Sequence, residues 1–329
     1  MRQVGAKGKW YNLRMSMKKI LILTDGKAGH ENQSRAFARA LGGDAVDCVE
    51  IHFKSKLHKA VSYLLDRAGV GCLSLFTGLD GITPHSGYAA VVGTGSGTFC
   101  AVKTLARRLG VKGGVVLYPR GYRIATFDCI LAPAFDRPPK APNVIEIPAN
   151  LVANDAAFYA KGVADFRART DVVPEIAVIV GGPNKRATLT ADWMRRKLDA
   201  IFAQPGAKAV TTSRRTPPDV EDVVDSYPWD YRLLYSKDRF NPIPAFVSLA
   251  KRLYVTAEST GMLSEACTFG TAEVVALDNL NPGPHKFRRF VDGLVAGGYA
   301  AWDGAASAGC SRKVDLAAPF AAARKLMGL

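Results

Sequence analysis

A group of ionisable side chains follows the first apolar run of the sequence, at 18–24. The ionisable residues are Asp25, Lys27 and His30, and Gly26, Gly29 and Gln33 lie among them. Either Asp25 or His30 can act as a general base towards a hydroxyl group, and the ordinary pKa of histidine, near neutrality, favours His30. The two glycines let the backbone turn sharply and come close to a ligand. The alternative is a turn whose polar residues only cap the next helix.

A second candidate site lies where the apolar run 252–256 meets small polar residues and the start of a helix. Its residues are Glu258, Ser259, Thr260, Gly261, Met262, Ser264 and Glu265. Because a helix N-terminus has unpaired backbone N–H groups, hydroxyls beside it favour the binding of an anion. Glu258 and Glu265 can each accept a hydrogen bond from a sugar hydroxyl. The alternative is an ordinary helix N-cap with a capping glutamate.

Several other predicted strands end in residues suited to a phosphate or a ligand loop. These residues are Gly95 and Ser96, then Gly181, Gly182 and Lys185, then Ser213, Arg214, Arg215 and Thr216, and finally His285. Taken singly, each turn has a plain alternative, either tight strand–helix packing or a solvated basic loop. The turns at 181–186, 213–217 and 258–261 would converge on one anionic ligand if their strands are neighbours in a parallel sheet.

Several other kinds of site are absent from the sequence. The glycine spacings do not match the dinucleotide fingerprint G-x-G-x-x-G, and there is no G-x-x-x-x-G-K-[ST] phosphate loop. No His, Cys, Asp or Glu cluster has metal-ligand spacing, so we expect neither a catalytic metal nor a cofactor. The six cysteines are scattered, which is typical of buried thiols in a reducing compartment.

Composition and charge indicate a cytoplasmic globular protein with an anionic partner. The chain has 329 residues, 48% of them apolar, and no apolar run long enough to span a membrane. Its net charge of +15 fits phosphorylated substrates or peripheral contact with an anionic membrane, the latter at the cytoplasmic face of the inner membrane. Nucleic acid is the weakest candidate, because the basic residues are spread widely and lack an RNA-binding signature. Residues 1–16 are expected to form a disordered basic tail.

Strand and helix patterns alternate along the rest of the chain. Short apolar runs read as buried parallel strands, and amphipathic stretches follow them. This alternation predicts an α/β protein with two doubly wound, Rossmann-like domains facing across a cleft, at 17–153 and 176–329. A helical linker region at 154–175 joins them. The last helix is expected to pack back on the N-terminal domain.

A series of motifs resembles one known family. In chain order they are DGKAGHENQS (25–34), PR (119–120), FD (127–128), NVIEIP (143–148), GGPNK (181–185), TSRRTP (212–217), NP (241–242), TAESTGMLSEA (256–266) and HKFRRF (285–290). Together they resemble the mitochondrial fission Elm family over roughly residues 18–296, and that family looks like the GT-B glycosyltransferases. The first turn is similar to the acceptor-side loop of the peptidoglycan N-acetylglucosaminyltransferase, and 256–266 resembles a donor-side nucleotide-diphosphate turn.

The resemblance implies an acceptor-side N-terminal domain and a C-terminal domain that binds a nucleotide-sugar. The predicted activity is metal-independent transfer of a sugar from a nucleotide-diphosphate donor to a hydroxyl acceptor, with lipid-linked or envelope glycans among the acceptors considered. Two alternatives stay open at the level of sequence. One is a non-catalytic adaptor of the mitochondrial fission Elm type, and the other is a sugar-nucleotide hydrolase or epimerase on the same fold.

Overall fold

A computed structural model describes residues 18–43, 45–83, 87–305 and 311–329. The predicted basic tail at 1–16 lies outside these residues. The main elements in chain order are β1 (Lys19–Thr24), α1 (Ala28–Ala40), β2 (Ala45–Glu50), β3 (His52–Phe53), α2 (Lys56–Arg67), β4 (Phe76–Thr77), β5 (Tyr88–Thr94), α3 (Phe99–Leu109), β6 (Lys112–Val116), β7 (Cys129–Pro133), β8 (Val144–Ile147), α4 (Ala156–Arg167), β9 (Ile176–Ile179), α5 (Ala191–Phe202), β10 (Lys208–Thr211), α6 (Pro218–Asp225), β11 (Tyr231–Leu233), α7 (Ile243–Leu249), β12 (Arg252–Thr256), α8 (Thr260–Thr268), β13 (Glu273–Leu277), α9 (Lys286–Ala296), β14 (Ala301–Trp302) and α10 (Ala317–Met327).

Two six-stranded parallel sheets form the centres of the two domains. The first has the strand order β2-β1-β5-β6-β7-β8 and the second the order β11-β10-β9-β12-β13-β14. Helices cover both faces of each sheet, so the middle of each central strand is apolar on both faces; Ile20 to Leu23 in β1 have no exposed surface. The prediction of two doubly wound α/β domains is therefore confirmed.

The short elements β3, β4 and β14 are not predicted by the sequence patterns. β3 and β4 form a two-stranded antiparallel sheet, with His52 opposite Thr77 and Phe53 opposite Phe76. Each of these strands has only two residues, too few for an alternation of apolar and polar side chains to be visible. β3 precedes α2 and β4 follows it after a loop, so their pairing holds the two ends of the segment that contains this helix close together.

Two helices connect the domains. α4, in the predicted linker region, packs on the C-terminal domain, where the Phe166 ring contacts the rings of Tyr231 and Phe246. α10 returns to the N-terminal domain, where Ala323 and Met327 join the core beneath β1 and α1. Within the residues that the structure describes, no helix is both long enough and apolar enough to cross a bilayer.

Candidate active site between the two domains

A cleft of ≈ 550 Å³ lies between the two domains. The N-terminal domain contributes Gly29, His30, Gln33, Leu117 and Asp136. The C-terminal domain contributes Thr260, Gly261, Met262, Ser264, Glu265 and Lys286. Both walls are built at the carboxyl ends of parallel strands, the position where α/β folds bind ligands. The two stretches that the sequence identifies as the best candidates for chemistry therefore face the same space.

Asp25 and His30 form a hydrogen-bonded pair on the N-terminal wall. Nδ1 of His30 lies 2.9 Å from Oδ1 of Asp25, and Nζ of Lys27 donates to Oδ2 of Asp25 at 2.6 Å. Burial raises the pKa of Asp25, but the hydrogen bond from Lys27 and the attraction of His30 outweigh it and lower that pKa below its ordinary value. An ionised Asp25 accepts the proton of Nδ1, so Nε2 of a neutral His30 carries the free lone pair.

The turn after β5 supports this pair from behind. A Cβ on Gly95, whose φ is +85°, would lie 2.4 Å from Cε1 of His30, and one on Gly97 would lie 2.7 Å from Cβ of Asp25. Ser96 accepts a hydrogen bond from Nζ of Lys59. The glycines of this turn thus make room for the side chains of Asp25 and His30, and the structure places Gly95 behind His30 and not among the cleft-lining residues.

Three turns of the C-terminal domain converge, because β10, β9 and β12 are neighbours in the sheet. The Gly181 N–H donates to Oγ1 of Thr256 at 2.8 Å, and Oγ1 of Thr216 donates to the Gly181 carbonyl at 2.6 Å. Nη1 of Arg215 donates to the Gly182 carbonyl at 3.4 Å. A Cβ on Gly182 would lie 2.2 Å from the Arg215 carbonyl oxygen, so this contact requires glycine.

Glu258 holds these turns together. Its buried carboxylate accepts hydrogen bonds from the Gly182 N–H at 2.8 Å, from Oγ of Ser259 at 2.7 Å and from Nδ2 of Asn279 at 2.9 Å. A Cβ on Gly181 would lie 1.9 Å from its Oε1. The sequence predicts that Glu258 contacts a sugar hydroxyl. In the structure both of its carboxylate oxygens instead accept hydrogen bonds from the protein.

The N-terminus of α8 opens onto the cleft. Thr260, Gly261 and Met262 line it, and helix geometry leaves the N–H groups of Gly261 and Met262 without intrahelical partners. A Cβ on Gly261 would meet nothing within 4 Å, and the same holds for Gly29 in the first turn of α1 on the opposite wall. Neither glycine has a positive φ, so the backbone does not require glycine at these positions. Their missing side chains leave space at two helix N-termini that face one cleft.

Glu265 and Ser264 lie further along the same wall. Oε1 of Glu265 accepts hydrogen bonds from Tyr159 at 2.9 Å and Asn154 at 3.2 Å, and burial raises the pKa of Glu265 above its ordinary value. Oγ of Ser264 donates to the Thr260 carbonyl and accepts from the Asn150 N–H, which links α8 to the end of the N-terminal domain. Ser264 is therefore committed to protein contacts, whereas Glu265 keeps one carboxylate oxygen for the cleft.

Some predicted residues lie at the margin of the site. Lys185 and Arg214 are exposed on the converging turns, and within the described parts of the chain neither has an ion pair or hydrogen bond. Ser213 bonds with Thr216 inside its own turn. The structure does not bring His285 into the cleft, because this residue caps α9: its Nδ1 accepts from the Arg288 N–H and its Nε2 pairs with the Asn281 carbonyl. Its neighbour Lys286 lines the cleft instead.

Two cleft-lining residues, Asp136 and Leu117, are not among the predicted site residues. Asp136 follows β7, so the rule applied to other strand ends would have found it; burial raises the pKa of its carboxyl. Leu117 has φ +74°, and with Arg137 it makes up the non-glycine residues with positive φ in the described parts of the chain. Such backbone conformations often occur at functional sites. Gln33, one of the predicted residues, also lines the cleft, and its buried Oε1 finds no hydrogen-bond partner among the described residues.

The two sheets and the cleft between them define the fold. Two parallel-sheet domains facing across a cleft are the GT-B architecture of glycosyltransferases and sugar-nucleotide epimerases. A UDP-GlcNAc 2-epimerase from Neisseria meningitidis bound to UDP-GlcNAc superimposes with a TM-score of 0.52 at 10% identity, over 94% of this chain and 98% of that chain. A UDP-glucosyltransferase from Polygonum tinctorium gives 0.49 at 9% identity, over 94% and 89%. UGT2 from Phytolacca americana, complexed with UDP-2fluoro-glucose and pterostilbene, gives 0.48 at 12% identity, over 94% and 93%.

The comparison of sequences identifies one family. Residues 28–327 match the family model of mitochondrial fission ELM1, and the chain belongs to this family. No curated protein sequence matches the chain. The resemblance recognised from the motifs is therefore confirmed.

Proposed function

We propose that the protein transfers a sugar from a nucleotide-diphosphate donor to a hydroxyl acceptor. One observation carries this proposal: the Asp25–His30 pair on one wall of the cleft faces the open N-terminus of α8 on the other. A base and an anion site on opposite walls are the two requirements for moving a glycosyl group from a phosphate to a hydroxyl. The chemistry needs both domains, because each supplies one requirement.

His30 acts as the general base. Nε2 takes the proton of the acceptor hydroxyl while the acceptor oxygen bonds to the anomeric carbon of the sugar and the bond from that carbon to the diphosphate oxygen breaks. Ionised Asp25 holds Nδ1–H and stabilises the imidazolium that forms. Gln33, on the same wall, contacts a second hydroxyl of the acceptor through its side-chain amide and orients it.

The leaving nucleotide diphosphate gathers negative charge, and the C-terminal wall stabilises it. The N–H groups of Gly261 and Met262, the hydroxyl of Thr260 and the unpaired cations Lys185 and Arg214 serve this purpose without a metal ion. Glu265 binds a hydroxyl of the donor through its free oxygen. The Neisseria epimerase of the same fold is bound to UDP-GlcNAc, which supports a nucleotide-sugar as the donor class here.

Donor binding is tested first and sugar transfer second. A ligand that binds only the folded state raises its stability by about 2.7 kcal/mol at a hundredfold excess over Kd. UDP, GDP, CMP and ADP and their sugars are compared by thermal shift, and the nucleotide that shifts Tm is then used as a labelled donor with a panel of hydroxyl acceptors. Absence of binding by every nucleotide overturns the proposal and favours the adaptor.

Glu265 supports a second candidate, hydrolysis or epimerisation of the sugar nucleotide. Its raised pKa and free oxygen place a protonatable group on the donor wall, where a hydroxyl acceptor is not required. Release of free sugar or formation of an epimer without acceptor, lost in Glu265→Gln but kept in His30→Gln, would assign this activity in place of transfer.

We also propose a cytoplasmic location with peripheral contact to an anionic membrane. The net charge of +15 supports this contact, since basic residues near an anionic surface each contribute about 1 kcal/mol of attraction. Vesicle binding measured at several salt concentrations checks this contact, and we expect the binding to weaken as the salt concentration rises.

A further inference from the structure

Helix α2 packs Val61, Tyr63 and Leu65 against the N-terminal core but leaves two of its leucines in solvent. Leu57 is 71% exposed and Leu64 64% exposed, and Val70, just beyond the helix, is 50% exposed. The fully buried positions of the helix are instead Ser62 and Asp66. A helix on a globular protein normally has one apolar stripe, which faces the core, so the exposed leucines of α2 form a second apolar stripe on the solvent side.

Specific contacts lock this orientation. Asp66 forms a buried ion pair with Lys103 and accepts a hydrogen bond from the Arg123 N–H at 2.7 Å. The Ser62 hydroxyl bonds with the Tyr122 hydroxyl at 2.7 Å. Turning the leucines inward would leave Lys103 buried without its partner, which is strongly unfavourable. The exposed leucines are therefore a fixed property of the folded chain.

The exposed leucines lie on a regular stripe. Leu57, Ala60, Leu64 and Ala68 follow one another at intervals of three and four residues, and all four are exposed. An exposed apolar stripe of this kind on an otherwise charged surface marks an interaction site. The stripe, with Val70, is called the α2 face below.

Basic residues surround the α2 face. Lys54, Lys56 and Arg67 are exposed beside it, and Arg123 lies against Gly69 at its end. The segment 51–79 contains a single acidic residue, Asp66, which is buried. The surface therefore has an apolar stripe with a positively charged border, and the segment 51–79 contributes no exposed acidic residue to it. This combination is that of a helix lying in the interface of an anionic bilayer.

We propose that the α2 face docks on an anionic lipid bilayer, with Leu57, Leu64 and Val70 inserted among the acyl chains. The surrounding lysines and arginines then lie at the level of the headgroups. A partner protein with an apolar groove would account for the leucines but not for the basic border. A partner protein with an acidic surface would account for the basic border but not for the leucines. A bilayer of anionic lipid accounts for both features.

Docking by α2 also orients the cleft. Nζ of Lys59 bonds to Ser96 in the turn whose Gly95 supports His30, so the docking helix is one contact away from the acceptor wall. Resting on the proposed transfer activity, this arrangement brings a lipid-linked hydroxyl acceptor to His30 directly from the membrane. The docking itself does not depend on that activity.

Vesicle flotation of the full chain tests the docking. Wild-type protein is mixed with phosphatidylcholine vesicles and with vesicles containing 30% phosphatidylglycerol (about the anionic content that produces a clear surface potential). We expect flotation with the anionic vesicles only. The double variant Leu57→Gln/Leu64→Gln should lose about tenfold in partitioning for each leucine, or about a hundredfold. The matched control is Phe158→Gln/Val173→Gln, which removes two exposed apolar residues elsewhere and should float like wild type.

The charged border is tested separately. Lys56→Glu/Arg67→Glu should abolish the preference for anionic vesicles while the donor-induced Tm shift stays at the wild-type value. Equal flotation of the leucine variant and wild type would overturn the proposal. So would a wild-type chain that binds no vesicle but changes from dimer to monomer in the leucine variant, because a second copy would then cover the α2 face. Vesicle binding without donor binding would refute the transfer activity and leave the docking intact.

Discussion

The variant Gly261→Ala is expected to make the protein more stable and to weaken its binding of the donor. Gly261 lies in the first turn of α8, its φ is not positive, and an added Cβ would meet nothing within 4 Å. Alanine therefore fits without strain, and replacing a helical glycine by alanine stabilises by about 0.5–1 kcal/mol. For a domain of this size the gain corresponds to about 2–4 °C in Tm for each kcal/mol.

The same methyl group projects into the cleft, and because Cα–Cβ bonds tilt towards the N-terminus of a helix, we expect it to crowd an anion bound to the N-terminal N–H groups of α8. A phosphate oxygen bound there makes a charge-assisted hydrogen bond, whose loss costs about 1.5–3 kcal/mol. The donor affinity should fall by about 10- to 150-fold, since each 1.4 kcal/mol is a factor of about ten. The two effects have opposite signs, so general damage to the fold cannot produce both.

Differential scanning fluorimetry of the ligand-free protein and titration calorimetry with the donor nucleotide measure the two effects. Gly293→Ala is the matched control, because Gly293 also lies within a helix, α9, is exposed, and has open space at its Cβ position away from the cleft. It should raise Tm by a similar amount and leave affinity unchanged. Unaltered donor affinity in Gly261→Ala would refute the assignment of α8 as the anion site.

Three further substitutions test other parts of the site. His30→Gln should lower the rate of transfer by about 10²- to 10⁴-fold while donor affinity, measured by calorimetry, stays the same; an unchanged rate would remove His30 as the base. Glu258→Ala removes the acceptor of four buried donors and should cost at least about 3 kcal/mol in urea unfolding, whereas Glu175→Ala, which breaks an exposed pair with Lys251, should cost less than about 1 kcal/mol. Because the pKa of Glu265 is raised, the folded chain holds this proton more tightly than the unfolded chain, so the free energy of unfolding falls as pH rises above the ordinary value of 4.5. Glu265→Gln should remove that fall, and an identical pH profile in both proteins would contradict the burial of this carboxyl.

Much of the architecture is predictable because its physical causes are local. The apolar run of β1 is buried on both faces, so its sequence alone marks it as a central parallel strand. The convergence of Gly181, Thr216 and Glu258 follows from the same rule, since strand ends in a parallel sheet share one edge. The position of the cleft could therefore be inferred before its residues were placed.

The use of each polar group could not be inferred, because it depends on neighbours distant in the sequence. Glu258 has the residue type that suits a sugar hydroxyl, but its oxygens bind Gly182 and Asn279, which are 76 and 21 positions away. His285 has the chemistry of a ligand-binding residue and is used to cap α9. Leu117 has a residue type that ordinarily avoids positive φ, so no sequence pattern marks it.

The return of α10 to the N-terminal domain makes the two domains nested. The strands of the first sheet and α10 share one core, and the whole C-terminal domain lies between them in the sequence. During synthesis the inserted domain is complete before α10 leaves the ribosome, so it can fold while the first domain still lacks Ala323 and Met327. The N-terminal domain then completes its core last, when α10 packs into it after the chain has crossed between the domains twice. An excised segment from α4 to β14 is accordingly the part of the chain expected to fold by itself.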